Sequence, residues 1–282
     1  MHSERIHRAV STDGTQIAGR VVGVGPPLVL IHGALYDGET AWTEMLPHLA
    51  DRFTCYLPST RGRGLSADDP DYAPERLLDD VVCFVESIGE PVPLVGWSGG
   101  AMWVLGAAAR SGAVAAVVAY EPPVFEVMDE QMHARFESTV AAMHREVDEG
   151  RLLEAAQRFS ELVATEEEQH VALASGRLQR AAPNVPADLR VFAEVGQGDA
   201  PSPTDAAVLS TISVPVLLLQ GEGSASPWFA EGIRHVSAHL ASCELRTIAD
   251  AGHSAPGVVP EAVAAEVVRF LERVRQPVPA PS

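Results

Sequence analysis

Residues 93–110 restrict the folding of this chain more than any other stretch. Pro93-Leu94-Val95 is a short apolar run, Gly96-Trp97-Ser98-Gly99-Gly100 follows it, and residues 101–110 are rich in small side chains. A run of strand length that passes through glycines straight into a helix implies a sharp strand-to-helix turn with the serine at its apex. Glycine is needed at Gly96 and Gly100 because side chains there would collide with neighbouring elements. Such a turn sets Ser98 at a helix N-terminus, where amides and the helix dipole favour developing negative charge. The string G-x-S-x-G is common by chance, and a glycine-rich turn with an incidental serine is the plain alternative. The flanking strand and helix favour a nucleophile.

The rest of the chain fits around that turn. Residues 4–10 and 16–22 flank Thr12-Asp13-Gly14, a hairpin signal. Residues 27–31 form a continuous apolar run ending at His32-Gly33, which suits a strand buried on both faces. A helix is expected over 41–49, a strand over 53–57, a helix over 74–87 with apolar residues at roughly 3.6 spacing, and a strand over 114–119. After Glu121-Pro122-Pro123 the pattern changes. No strand-like run appears from 125 to 209, and helices are expected over 127–147, 151–164, 166–180 and 187–195. The alternation resumes with a strand at 214–219, a helix at 228–240, a strand at 244–248 and a helix at 260–274. The expected organisation is a parallel-sheet core in two parts, 1–123 and 210–275, a helical insertion over 124–209, and a disordered tail over 276–282. There is no internal repeat.

Composition narrows the function. The 282 residues carry 20 Lys+Arg and 38 Asp+Glu, a net charge of −18. All the basic residues are Arg, which reads as the codon bias of a GC-rich, bacterial genome. The acidic balance disfavours nucleic acid and anionic membranes as partners. The 46% hydrophobic fraction is that of a chain that buries a core. Cys55, Cys83 and Cys243 match no zinc spacing or disulfide framework and read as buried reduced thiols. No signal-peptide-like or membrane-spanning run is present, so a soluble cytoplasmic protein, monomer or homodimer, is expected.

A serine hydroxyl needs a base to take its proton. His253, in Asp250-Ala251-Gly252-His253 after the last strand, suits that role with an unperturbed pKa of about 6.5. His2, His7, His48, His133, His144, His170, His235 and His239 lie near the N-terminus or in helical stretches, with nothing to set them apart. Attack on a carbonyl creates an oxyanion that needs prepositioned donors. The amides of Ala34, after Ile31-His32-Gly33, and of Gly99 are the natural pair. His32 is expected to hold that loop in place. Trp97 and Phe125 are candidate substrate contacts, together with Tyr36, for which packing is an equal reading. Trp103, Trp228, Met128 and Met132 are further candidates for pocket walls. Glu166-Glu167-Glu168 reads as a solvated helix start.

Taken together, Ile31-His32-Gly33, Arg61-Gly62-Arg63-Gly64-Leu65-Ser66, Gly96-Trp97-Ser98-Gly99-Gly100, residues 214–221 and Gly252-His253 resemble the α/β-hydrolase family, in the family's order. The resemblance covers nearly the whole chain except the insertion. It implies an eight-stranded, mostly parallel sheet with helices on both faces and an all-helical cap after the sixth strand. It also implies Ser98 as nucleophile and His253 as base, and a structural role for the Arg61–Ser66 loop. The family usually places its triad acid three residues after the Gly that ends the seventh strand. Here that Gly is Gly221, and the position holds Ser224. Glu121, Glu222 and Asp250 are the candidate replacements, and the absence of any acid is the fourth possibility. Some members of the family carry the acid after the sixth strand, where Glu121 stands. A neutral Ser224 hydroxyl would stabilise an imidazolium poorly.

The expected activity is a serine hydrolase of small or medium apolar esters, lactones or thioesters, with no metal or organic cofactor and a small-molecule substrate. The rival readings are a non-hydrolytic lyase or cyclase using His253 as base, and a ligand-binding protein with a vestigial triad.

Overall fold

The computed structural model describes residues 5–194 and 201–275. The proposed tail at 276–282 lies outside them, as do Glu4, His2 and the punctuating Gly196 and Gly198. Eight strands form one sheet: β1 (Arg5–Val10), β2 (Gln16–Gly23), β3 (Pro27–Ile31), β4 (Thr54–Pro58), β5 (Val92–Trp97), β6 (Val114–Tyr120), β7 (Val216–Gly221) and β8 (Glu244–Ile248). Their spatial order is β1-β2-β4-β3-β5-β6-β7-β8. The β1–β2 and β2–β4 pairs are antiparallel and every other pair is parallel.

The central strands read as unbroken apolar runs because both their faces are covered. Leu28, Leu30, Val95, Val118, Leu217 and Leu219 point to one face, against Val263, Val267 and Phe270 of the helix Pro260–Arg275. Val29, Ile31, Leu94, Val117, Ala119 and Leu218 point to the other, against the helices Pro74–Glu86, Gly99–Arg110 and Pro227–His239.

The register places the loops that matter side by side. Ile31 pairs with Gly96 and Trp97 with Tyr120, while Gly221 pairs with Ile248. The residues following β3, β5, β6, β7 and β8 therefore emerge at one edge of the sheet, where parallel α/β sheets place their sites.

Among the described residues between β6 and β7 there is no strand. The helices Glu130–Asp148, Leu152–Val163, Glu166–Ala174, Arg177–Ala181 and Val185–Glu194 form an all-helical cap. The single helix expected over 166–180 is broken by Gly176, whose φ of +71° takes the left-handed conformation that ends a helix. The helix expected over 41–49 is also shorter. Only Leu46–Leu49 is helical, with Pro47 in its first turn, and residues 40–45 form turns. Proline is accommodated in a first helical turn and disfavours helix before it. The short helix Ala206–Leu209 packs on the helices Gly99–Arg110 and Pro227–His239, beside the core. No helix among the described residues is long and apolar enough to cross a membrane. Of the three free cysteines only Cys55 is buried; Cys83 and Cys243 are half-buried.

Candidate active site

Ser98 stands between β5 and the helix Gly99–Arg110 with φ +55° and ψ −125°. This conformation is strained for a residue with a side chain. A Cβ on Gly100 would lie 2.1 Å from the Ile31 carbonyl oxygen, and one on Gly96 would lie 2.3 Å from the Gly100 carbonyl oxygen. The turn closes only because both are glycines. The Ser98 amide donates to the Tyr120 carbonyl at 2.9 Å, tying the bend to β6. Gly99 opens the helix, so its N–H has no partner within the helix.

Four described residues other than glycine have positive φ: Leu35, Ser98, Glu121 and Asp250. All four lie in loops at the site edge of the sheet, where stored strain accompanies function. Glu121 has φ +43°. Its amide donates to the Leu219 carbonyl at 3.0 Å, which holds it at the end of β6.

The Glu121 carboxylate meets the His253 imidazole. Oε2 of Glu121 is 2.8 Å from Nδ1 of His253, and the side chains are only 1% and 3% exposed. Because a carboxylate accepts, Nδ1 donates in this pair, and in the neutral ring Nε2 is then the nitrogen with a lone pair. The other oxygen, Oε1, accepts from the Gly221 amide at 2.8 Å and from the Ser224 hydroxyl. Glu222 and Asp250 are exposed; the Asp250 amide faces Glu222 at 3.5 Å, and neither carboxylate bonds His253. His253 is further fixed by its ring stacking on Phe229 with centroids 3.9 Å apart and by the Trp97 indole N–H donating to its carbonyl at 2.7 Å.

The loop after β3 is held from several sides. His32 is buried; its Nδ1 donates to the Gly33 carbonyl at 2.8 Å and its Nε2 accepts from the Thr60 amide at 3.0 Å. That arrangement demands a neutral ring, and burial, with the nearby Arg63 charge, pushes its pKa down to about 4. Asp188, on the cap helix Val185–Glu194, accepts from the Leu35 amide at 2.9 Å and from Arg63 at 2.7 Å. Burial raises the Asp188 carboxyl pKa, against the opposing pull of Arg63. Asn184 donates to the Leu35 carbonyl at 3.1 Å. Arg61 turns away from the site and forms a buried two-point pair with Asp80.

Ser98 lies at the junction of two cavities. The larger, about 730 Å³, is lined by Ser98, Gly99, Ala34, Phe125 and cap aromatics such as Phe192. The smaller, about 340 Å³, is lined by Ser98, Ala34, Tyr36, Trp97 and His253. Tyr36 and Trp97 stack at 5.2 Å beneath the Arg177 guanidinium. Trp103 and Trp228 also line the larger cavity; Met132 instead borders a separate surface groove, and Met128 packs against the core.

The acidic run departs from its expected solvated role. Glu166 and Glu167 are exposed, but Glu168 is buried. It completes a capping box with Thr165 and accepts from the Ser254 amide at 2.8 Å, so the cap grips the residue after His253. The capping pattern Thr-x-x-Glu was visible in the sequence; the contact with Ser254 was not. Asp188 and Asn184 were missed for the same reason, since their partners lie about 150 positions away. Among the described residues, no group of three or more His, Cys, Asp or Glu side chains is placed to hold a metal ion.

Comparison with known proteins bears on the fold and the family. The model of the alpha/beta hydrolase family matches residues 28–266. A pimeloyl-[acyl-carrier protein] methyl ester esterase of Stenotrophomonas maltophilia is 35% identical over 136 residues, covering 43% of this chain and 51% of the relative. A pyrrolizixenacetamide deacetylase of Xenorhabdus hominickii is 32% identical over 102 residues, 36% of this chain and 38% of the relative. The matches thus span about half the length of these curated relatives or less. Among solved structures, an alpha/beta hydrolase from Sphaerobacter thermophilus superposes with a TM-score of 0.71 at 27% identity, covering 94% of this chain and all of that one. A thermophilic esterase from Thermogutta terrifontis, 22% identical and covering 96% of this chain and 100% of that one, shares the fold with a TM-score of 0.75.

Proposed function

Because the chain belongs to the alpha/beta hydrolase family, we propose that it is a serine hydrolase of small or medium apolar esters, lactones or thioesters, working through an acyl-enzyme. The observation that carries this reading is the buried Glu121–His253 hydrogen bond beside a serine at a strained bend. His253 Nε2 takes the proton of the Ser98 hydroxyl as Oγ attacks the carbonyl carbon. The amides of Ala34 and Gly99 receive the oxyanion, and Glu121 stabilises the imidazolium that forms. The imidazolium returns its proton to the leaving oxygen. Water, deprotonated by the same His253, then cleaves the acyl-enzyme and releases the acid.

Phe125 contacts the substrate from the cap side, and Trp97 and Tyr36 shape the wall beside His253. The cap, taken as 124–209, decides which molecules enter. The net charge of −18 supports a small-molecule substrate over nucleic acid or an anionic membrane. The relatives' names describe two ways of dividing a substrate: a methyl ester has a small leaving alcohol, and a deacetylase removes a small acyl group.

Replacing Glu121 by Gln tests the reading. The fold should persist while kcat on a hydrolysable ester falls by about 10²–10⁴. An unchanged kcat would remove Glu121 from the chemistry.

A further inference from the structure

The two cavities that meet at Ser98 differ in what they offer a departing group. His253 lines the smaller, of about 340 Å³, and is not among the residues lining the larger, of about 730 Å³. In acylation the bond between Ser98 Oγ and the carbonyl carbon forms and the bond from that carbon to the alcohol oxygen breaks. The alcohol oxygen must take the proton that His253 carries, so it must leave on the histidine's side. The acyl group stays on Ser98 and must occupy the other side.

The geometry points to an esterase for small alkyl alcohols carrying a bulky apolar acyl group, with the aromatic cavity as acyl compartment and the His253 cavity as leaving-group compartment. This rests on the serine-hydrolase reading and narrows it. The leaving-group compartment is lined by Tyr36, Trp97, Ala164 and Ser254 beside His253. Of these, Tyr36, Trp97 and Ala164 are buried, packed against the rest of the protein, and the space they border is about half that on the acyl side. The acyl compartment is walled by Phe125, Phe136, Phe192, Trp228 and Phe229, with Phe159 shared by both compartments. Edge-to-face and stacked contacts link these rings, with centroids 5.1–5.7 Å apart from Phe125 through Phe136 to Phe192 and Phe159. Such a surface gains free energy from apolar area, and the charged residues that also line the cavity, Arg63 and Asp188, are paired with each other. Thioesters with a long leaving thiol, and acetyl esters of bulky alcohols, fit this division poorly.

Two ester series followed by titration of the released acid decide the matter. One holds methanol constant and lengthens the acid from butanoate through octanoate to phenylpropanoate. The other holds octanoate constant and enlarges the alcohol from methanol through ethanol and butan-1-ol to benzyl alcohol. The expected result is kcat/KM that holds or rises along the first series and falls about tenfold or more along the second. Ala164→Leu should deepen the fall along the alcohol series alone. Phe192→Ala should shift the acyl optimum and leave the alcohol ranking intact. Hydrolysis that tolerates benzyl alcohol but rejects long acyl chains overturns the assignment and leaves the hydrolase standing. Folded protein that cleaves no member of either series overturns the hydrolase and the assignment together.

Discussion

Ser224 stands where the family usually carries its acid, and its hydroxyl donates to the carboxylate of Glu121. The position has thus turned from a charge into a donor that orients one. Removing that donor with Ser224→Ala should lower kcat about tenfold, since hydrogen bonds to charged groups contribute roughly 1.5–3 kcal/mol. In a Glu121→Gln background, Ser224→Asp should restore part of the lost rate, which steady-state kinetics on one ester would reveal; no recovery would mean that the imidazole cannot be served from the β7 loop. His32 carries a pH prediction. Its folded pKa, about 4, lies below the unfolded value of 6.5, so the unfolded chain binds more protons between them. The contribution to stability is present above pH 6.5 and lost as pH falls through 4, on the order of 1–3 kcal/mol. Denaturant midpoints across that window should fall more steeply for the native chain than for His32→Gln. The Ser98 turn and the position of His253 after the last strand were legible in local sequence. Local sequence leaves the partner of His253 open among Glu121, Glu222, Asp250 and no acid at all, because the Glu121 contact is fixed across β7, which no local pattern records.

At the scale of elements, the strands were legible because burial on both faces writes itself as apolar runs, and β3 and β8 match their sequence-based bounds. Helices were less so where one residue decides the end. Gly176 splits one cap helix, and Pro47 delays another. The elbow depends on two glycines, and Gly100→Ala forces a Cβ into the Ile31 carbonyl. That variant should lose about 3 kcal/mol or more, or fail to fold, as a thermal melt would show. A melt within error of the native one would mean that β3 and the helix Gly99–Arg110 can separate without cost.

The whole molecule is a sheet with a core on each face and a cap anchored to the catalytic edge by buried polar contacts. Asp188 joins the cap to Arg63 and to the loop after β3, and Glu168 joins it to the loop carrying His253. These anchors were invisible to sequence reading because each spans 86 to 153 positions. Removing the Asp188 carboxylate leaves Arg63 buried without its charge partner, which costs roughly 3–5 kcal/mol. Asp188→Ala should therefore lower the melting temperature markedly; an unchanged melt would show that the cap is held by apolar packing alone.

The central claim is that Ser98 Oγ is a nucleophile made reactive by His253. Fluorophosphonate labelling, with the adduct located by peptide mass spectrometry, tests it most directly. A single adduct on Ser98, absent in Ser98→Ala and strongly slowed in His253→Ala, is the expected result. Folded native protein that stays unlabelled, or that labels equally fast without His253, would contradict it.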